Sequence, residues 1–170
     1  MKNPLRSGLL ALGLVSCTGC DQAVKAIARG ALESSPPVTL LGGAVRLEYT
    51  ENPGAFLSLG ANLPATARFL VGVVFVAVSL ATLLVFTFRA AGLTPRQKAG
   101  LTLILGGGLG NLIDRLANHG QVIDFVSLGV GPLHTGIFNV ADVAITAGVL
   151  LMFLSCFKQN GPGPESEPSA

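Results

Sequence analysis

The sequence predicts an all-α membrane protein, with four transmembrane helices and a small β element outside the bilayer. Half of its 170 residues are hydrophobic, only 12% are charged, and the mean hydropathy is +0.64. Soluble domains carry about a quarter charged residues. Four apolar stretches stand out, from about Ser7 to Ile27, Arg68 to Phe88, Ala99 to Leu116 and Asn139 to Phe157. Each is close to the roughly 20 residues a helix needs to cross about 30 Å of hydrocarbon at 1.5 Å per residue. The loop from Gly30 to Thr66 holds the alternation Val45, Arg46, Leu47, Glu48, Tyr49, Thr50, which reads as a strand.

Helices are the expected form of the spans, because backbone groups in lipid must be satisfied within the segment and no barrel-type alternation runs through these stretches. The chain has no Trp, so charge rather than an aromatic belt marks the span edges. Lys2 and Arg6 precede the first span, Arg89, Arg96 and Lys98 fill the connection between the second and third, and Lys158 follows the fourth. The positive-inside rule places these flanks, and hence both termini, in the cytoplasm. Lys25, Arg29, Arg46, Arg68 and Arg115 fall on the other side over much longer loops, together with seven of the nine acids: Asp21, Glu33, Glu48, Glu51, Asp114, Asp124 and Asp142. Residues 1–158 read as a single membrane domain, with Ser34, Ser35, Pro36 and Pro37 breaking the outer loop at about 30–66. Residues 159–170, QNGPGPESEPSA, have nothing apolar to anchor a fold and are expected to be a disordered cytoplasmic tail. A formal charge of +2, spread along the chain, excludes nucleic acid as a partner class.

The N-terminus admits a second reading. Lys2 and Arg6, the core Leu9 to Val15 and the sequence Leu14-Val15-Ser16-Cys17 fit a lipoprotein signal with acylation at Cys17. Apolar character continues to Ile27 and further spans follow, which favours an uncleaved first helix. Cys17 and Cys20 have CxxC spacing but no further Cys or His beside them, so core thiols are expected rather than a metal site. Cys156 falls at the opposite end of the bilayer from both, too far for a disulfide. His119 and His134 are isolated loop residues.

Ionisable groups in or beside a span cost at least about 2.5–3.5 kcal/mol, so each is a functional candidate. Asp21 and Lys25 are spaced i,i+4 and can pair on one helix face. Asn111, Asp114 and Arg115 form a polar face after the run Gly106-Gly107-Gly108-Leu109-Gly110, where the absence of side chains permits close approach. Asp124 lies in the short apolar segment Val122-Ile123-Asp124-Phe125-Val126, and Asp142 lies one turn into the last span, sharing a face with Asn139. Two carboxylates at one membrane depth would repel unless they shared a proton, which is the working state of an aspartyl protease pair. Spacing alone leaves proton or ion transport open as a competing use of the same residues.

Five blocks in order, Asp21-Gln22-Ala23-Val24-Lys25, Asn52-Pro53-Gly54-Ala55-Phe56, Gly107 to Arg115, Val122-Ile123-Asp124-Phe125 and Phe138-Asn139-Val140-Ala141-Asp142, resemble the motifs of the lipoprotein signal peptidases, or signal peptidase II. The resemblance implies a hydrolase of the bacterial inner membrane, with its β element and active site on the periplasmic side. It implies an aspartyl endopeptidase in which Asp124 and Asp142 are catalytic and cleave just before a lipid-modified cysteine. It further implies that Asn52, Gly54, Asn111, Arg115 and Asn139 bind substrate and that Asp21, Lys25 and Asp114 support the helix ends. No metal or organic cofactor is implied. The partners are diacylglyceryl-modified prolipoproteins and membrane lipid, and a monomer is expected. The chain departs from the family pattern at Val24, where a small hydroxyl residue is usual, and at Phe56, where the aromatic usually sits one position later. The strand before Asn52 could pair with an extended substrate, with Asn52 and Arg115 holding its carbonyls.

Overall fold

The computed structural model describes residues 4–54 and 62–159. Helix α1 runs Pro4–Leu32 and is followed by strands β1 (Val38–Leu40) and β2 (Val45–Asn52). Next comes one continuous helical rod: α2 (Ala65–Phe69), a π-helical turn Leu70–Phe75 and α3 (Val76–Arg89). Helix α4 (Pro95–Ala117), strands β3 (Val122–Val130) and β4 (Leu133–His134), and helix α5 (Val140–Gln159) complete the chain.

Three described helices, Ser7–Leu32, Thr66–Arg89 and Val140–Phe157, are long and apolar enough to cross a bilayer. Helix α4 falls outside that set. Its 23 residues suffice in length, but glycines and the polar face of Asn111, Asp114 and Arg115 dilute its hydropathy. It is instead the central helix, packed against α1, α3 and α5. Its start is encoded locally: Thr94 and Gln97 form a reciprocal capping box, and Pro95 takes the first helical position, where no N–H is needed. Glycines allow α4 its close approaches. A Cβ at Gly107 would lie 2.5 Å from the Ala141 carbonyl oxygen of α5, and one at Gly106 would meet Cys17 Cβ of α1 at 2.7 Å.

The four strands form one antiparallel sheet in the order β1-β2-β3-β4. The alternation at Val45–Thr50 is β2, as its sequence predicts. Strand β3 carries no strand signal of its own in the sequence. Its segment reads as a short apolar stretch, and only pairing with β2, in the register Thr50↔Asp124 and Asn52↔Val122, makes it a strand. Ile123 and Phe125 pack with Ala28 of α1, fixing the sheet to the end of the bundle.

Several expectations need adjustment. Helix α1 extends to Leu32, and Thr66 already belongs to α2, so the outer loop is shorter than 30–66. Gln159 still belongs to α5, and the remainder of the expected tail lies outside the described residues, as does Phe56. The cysteines are free: Cys17 is half-buried against Gly106 of α4, in keeping with a core thiol, whereas Cys20 is exposed and is not one.

Candidate active site

The two aspartates expected at the site come together through Asn139. Asn139 Nδ2 donates to Asp124 Oδ1 at 2.7 Å, while the Asn139 backbone N–H donates to Asp142 Oδ2 at 3.3 Å and Asn139 Oδ1 accepts from the Asp142 N–H at 3.0 Å. The last two contacts make a capping box, with Asn139 just before α5 and Asp142 three residues on. Local helix-start chemistry thus orients one carboxylate. The other sits on β3, held by Asn52 Nδ2 at 2.9 Å from its Oδ2. Sheet register brings Asn52 there: it lies across from Val122, two residues short of Asp124. Asn52 Oδ1 also accepts from the Gly54 N–H at 2.9 Å, shaping the exit from β2.

Asn111 supplies the second donor to Asp142, Nδ2 to Oδ1 at 3.0 Å. Its Oδ1 accepts from Asn139 Nδ2 at 3.1 Å and from Lys25 Nζ at 2.9 Å. Beneath lies a buried ionic cluster in which Lys25 bridges Asp21 and Asp114, 2.8 Å from each. Gln22 Nε2 reaches Asp114 Oδ1 at 2.9 Å and the Gly110 carbonyl at 3.1 Å. Gln22 has no role legible in the sequence beyond its place between Asp21 and Lys25.

Burial pushes the Asp124 carboxyl up to about 6, and the nearby Asp142 charge adds to the shift, while hydrogen bonds from Asn52 and Asn139 oppose it. Two carboxyls so placed can hold one proton between them. The pair can therefore activate a water and protonate a carbonyl oxygen in the same step.

The family profile described as Signal peptidase (SPase) II matches residues 14–158. The chain belongs to the signal peptidase II family. Among its relatives are lipoprotein signal peptidases of Photorhabdus laumondii, 40% identical over 111 residues and 65% of each chain, and of Caldicellulosiruptor bescii, 37% identical over 83% of this chain and 85% of that protein. That of Syntrophus aciditrophicus is 32% identical over 94% of this chain and 97% of its own. A solved bacterial membrane enzyme superposes with a TM-score of 0.76 at 25% identity, covering 95% of both chains.

For a signal peptidase II the surroundings of the pair are informative. Asp142 stands between two apolar clefts. One, of about 390 Å³, lies between α3, α4 and α5, with Val76, Gly108, Ile145 and Val149 in its walls and Asn111 and Arg115 at its polar end. The other, of about 420 Å³, runs along α5 past Thr135, Phe138, Val143 and Ala147. Thr146 and Leu150 line both. Arg115 lies close over Gly72 in the π-helical turn, where a Cβ would come within 3.2 Å of its Nε. Its fork is spread over two backbone carbonyls, Gly54 at 3.0 Å and Asn111 at 3.3 Å. Arg115 therefore ties the segment after β2 to α4, and any carbonyl of a substrate would have to compete with the one at Gly54.

Proposed function

We propose that this protein is an intramembrane aspartyl endopeptidase that removes the signal peptide from diacylglyceryl-modified prolipoproteins, cutting before the lipid-modified cysteine. The observation that carries the reading is the Asn139 bridge between Asp124 and Asp142, with an apolar cleft on each side of Asp142. In this mechanism the ionised member of the pair takes a proton from water, the water oxygen attacks the scissile carbonyl, and the protonated member donates to the carbonyl oxygen. Proton return to the leaving amine then separates the fragments. Asn111, Asn139 and Asn52 hold the carboxylates in reacting orientation, and Gly54 and Arg115 shape the substrate's entry. The acyl chains of the modified cysteine stay in the bilayer, which is why the carboxylates belong at its surface. Incubation of the purified protein with a diacylglyceryl-modified prolipoprotein should give the mass change of peptide cleavage, and the unmodified precursor should stay intact. Equal cleavage of both would reject lipid-dependent recognition.

In the proposed topology α4 is a fourth span, shielded from lipid on several sides and so freed from the hydropathy of its neighbours. Both termini are cytoplasmic, and the sheet and aspartates are periplasmic, at the inner membrane. The basic Arg89, Arg96 and Lys98 between α3 and α4, with no acid among residues 89–98, motivate this orientation. Reporters fused after Lys98 and Lys158 should read as cytoplasmic and one near Ser34 as periplasmic. A periplasmic signal at Lys98 would overturn the arrangement.

A further inference from the structure

Lys25 is 1% exposed, and its ammonium meets three acceptors: Asp21 Oδ2 and Asp114 Oδ2 at 2.8 Å, and Asn111 Oδ1 at 2.9 Å. Both carboxylates also hold backbone immediately beside the reacting pair. Asp21 Oδ1 accepts from the Ala141 N–H at 2.8 Å, one residue before Asp142. Asp114 Oδ2 accepts from the Ile123 N–H at 3.0 Å, one residue before Asp124. The cation thus joins two tethers, one for each aspartate.

The third acceptor fixes a polarity. A carboxamide can sit either way round, presenting oxygen or NH2 to a given neighbour. With Asn111 Oδ1 turned to the ammonium and to Asn139 Nδ2, its NH2 must face Asp142 Oδ1. Reversal would set NH2 against ammonium and oxygen against carboxylate, two repulsive contacts in a buried site, where such contacts are strong.

We propose that Lys25 is a positioning residue for cleavage, setting the separation of Asp124 and Asp142 through Asp114 and Asp21 and turning the donor end of Asn111 toward Asp142. The inference rests on the aspartyl-pair reading above. The charged groups facing the pair are Lys25 and Asp21 from α1 and Asp114 and Arg115 from α4, while Asn52 from β2 is neutral.

Lys25→Met alone would strand two buried carboxylates and could prevent folding. The test therefore uses two charge-balanced variants, Lys25→Met with Asp114→Asn and Lys25→Met with Asp21→Asn, in the full-length protein. At least one should fold, with kcat for a diacylglyceryl-modified prolipoprotein lowered about tenfold to a hundredfold, the value of one hydrogen bond to a charged group. KM should change little. The acid limb of the pH profile should move to higher pH, because the ionised state of the pair loses its Asn111 donor. A folded variant with wild-type kcat and pH profile would overturn the proposal, as would failure of both variants to fold, which would make Lys25 a fold anchor only. Asp142→Asn is run in parallel. Wild-type cleavage by that variant would instead bring down the aspartyl-pair reading, whereas an inactive Asp142→Asn beside wild-type double variants removes only the role of Lys25.

Discussion

Asp124→Asn and Asp142→Asn should each lower prolipoprotein cleavage by at least about a thousandfold, ~4 kcal/mol in the barrier, while the variants still insert and fold. An amide keeps the shape of the carboxyl and part of its hydrogen bonding, so the contacts of Asn52, Asn111 and Asn139 can be largely rearranged rather than lost. It cannot carry the proton. In the proposed mechanism the two groups act in one step, so the double variant should be scarcely slower than either single one, whereas independent roles would multiply. The pH dependence follows from the same proton. With the Asp124 carboxyl pushed up to about 6, deprotonation removes the acid partner, so kcat/KM of the free enzyme should decline from about pH 6 upward. At the acid end it falls again when both carboxyls are protonated and no base is left. The two limbs belong to the pair and should be absent from the residual rate of either variant. Cleavage by both single variants at a tenth of the wild-type rate would rule out the shared-proton mechanism.

Much of this site is legible in the sequence because its parts are local. Asn139 and Asp142 are three residues apart at the start of an apolar run, the spacing of a capping box, so helix formation alone orients that carboxylate. The pairing of Asp21 with Lys25 is an i,i+4 contact and is likewise predictable. What the sequence does not carry is the partner that arrives from far along the chain. Lys25 reads as paired once, but its contacts with Asp114 and Asn111 depend on how closely α4 approaches α1. Arg115 reads as a ligand for substrate, and in this structure both arms hold the chain's own carbonyls, because Gly54, two residues past β2, comes within its reach. Strand β3 has apolar residues at adjacent positions and so shows no clean alternation, since both faces near Asp124 are buried. The composition of α4 has a similar cause: it packs against α1, α3 and α5, so its residues are set by packing and chemistry as much as by hydropathy.

The glycines of α4 yield the second large effect, and it concerns geometry rather than proton transfer. Gly107→Ala places a methyl group 2.5 Å from the Ala141 carbonyl oxygen and 2.9 Å from Ile145 Cγ1. The first of these is backbone at the start of α5 and cannot rotate aside, so the two helices must separate or tilt. Overpacking of this kind costs about 1–3 kcal/mol. The activity should suffer more than the stability, because the same helix–helix contact carries the Asn111–Asp142 hydrogen bond, and Ala141 is the residue pinned by Asp21. A displacement near 1 Å at a reacting group can cost roughly a hundredfold in rate. Gly19→Ala is the matched control: it lies within α1 with nothing within 4 Å of its added methyl, and should leave cleavage unchanged while favouring the helix by up to about 1 kcal/mol. Thermal unfolding in detergent and prolipoprotein cleavage, measured on both variants, separate the two effects. Wild-type cleavage by Gly107→Ala would mean that the α4–α5 spacing does not govern the aspartate pair.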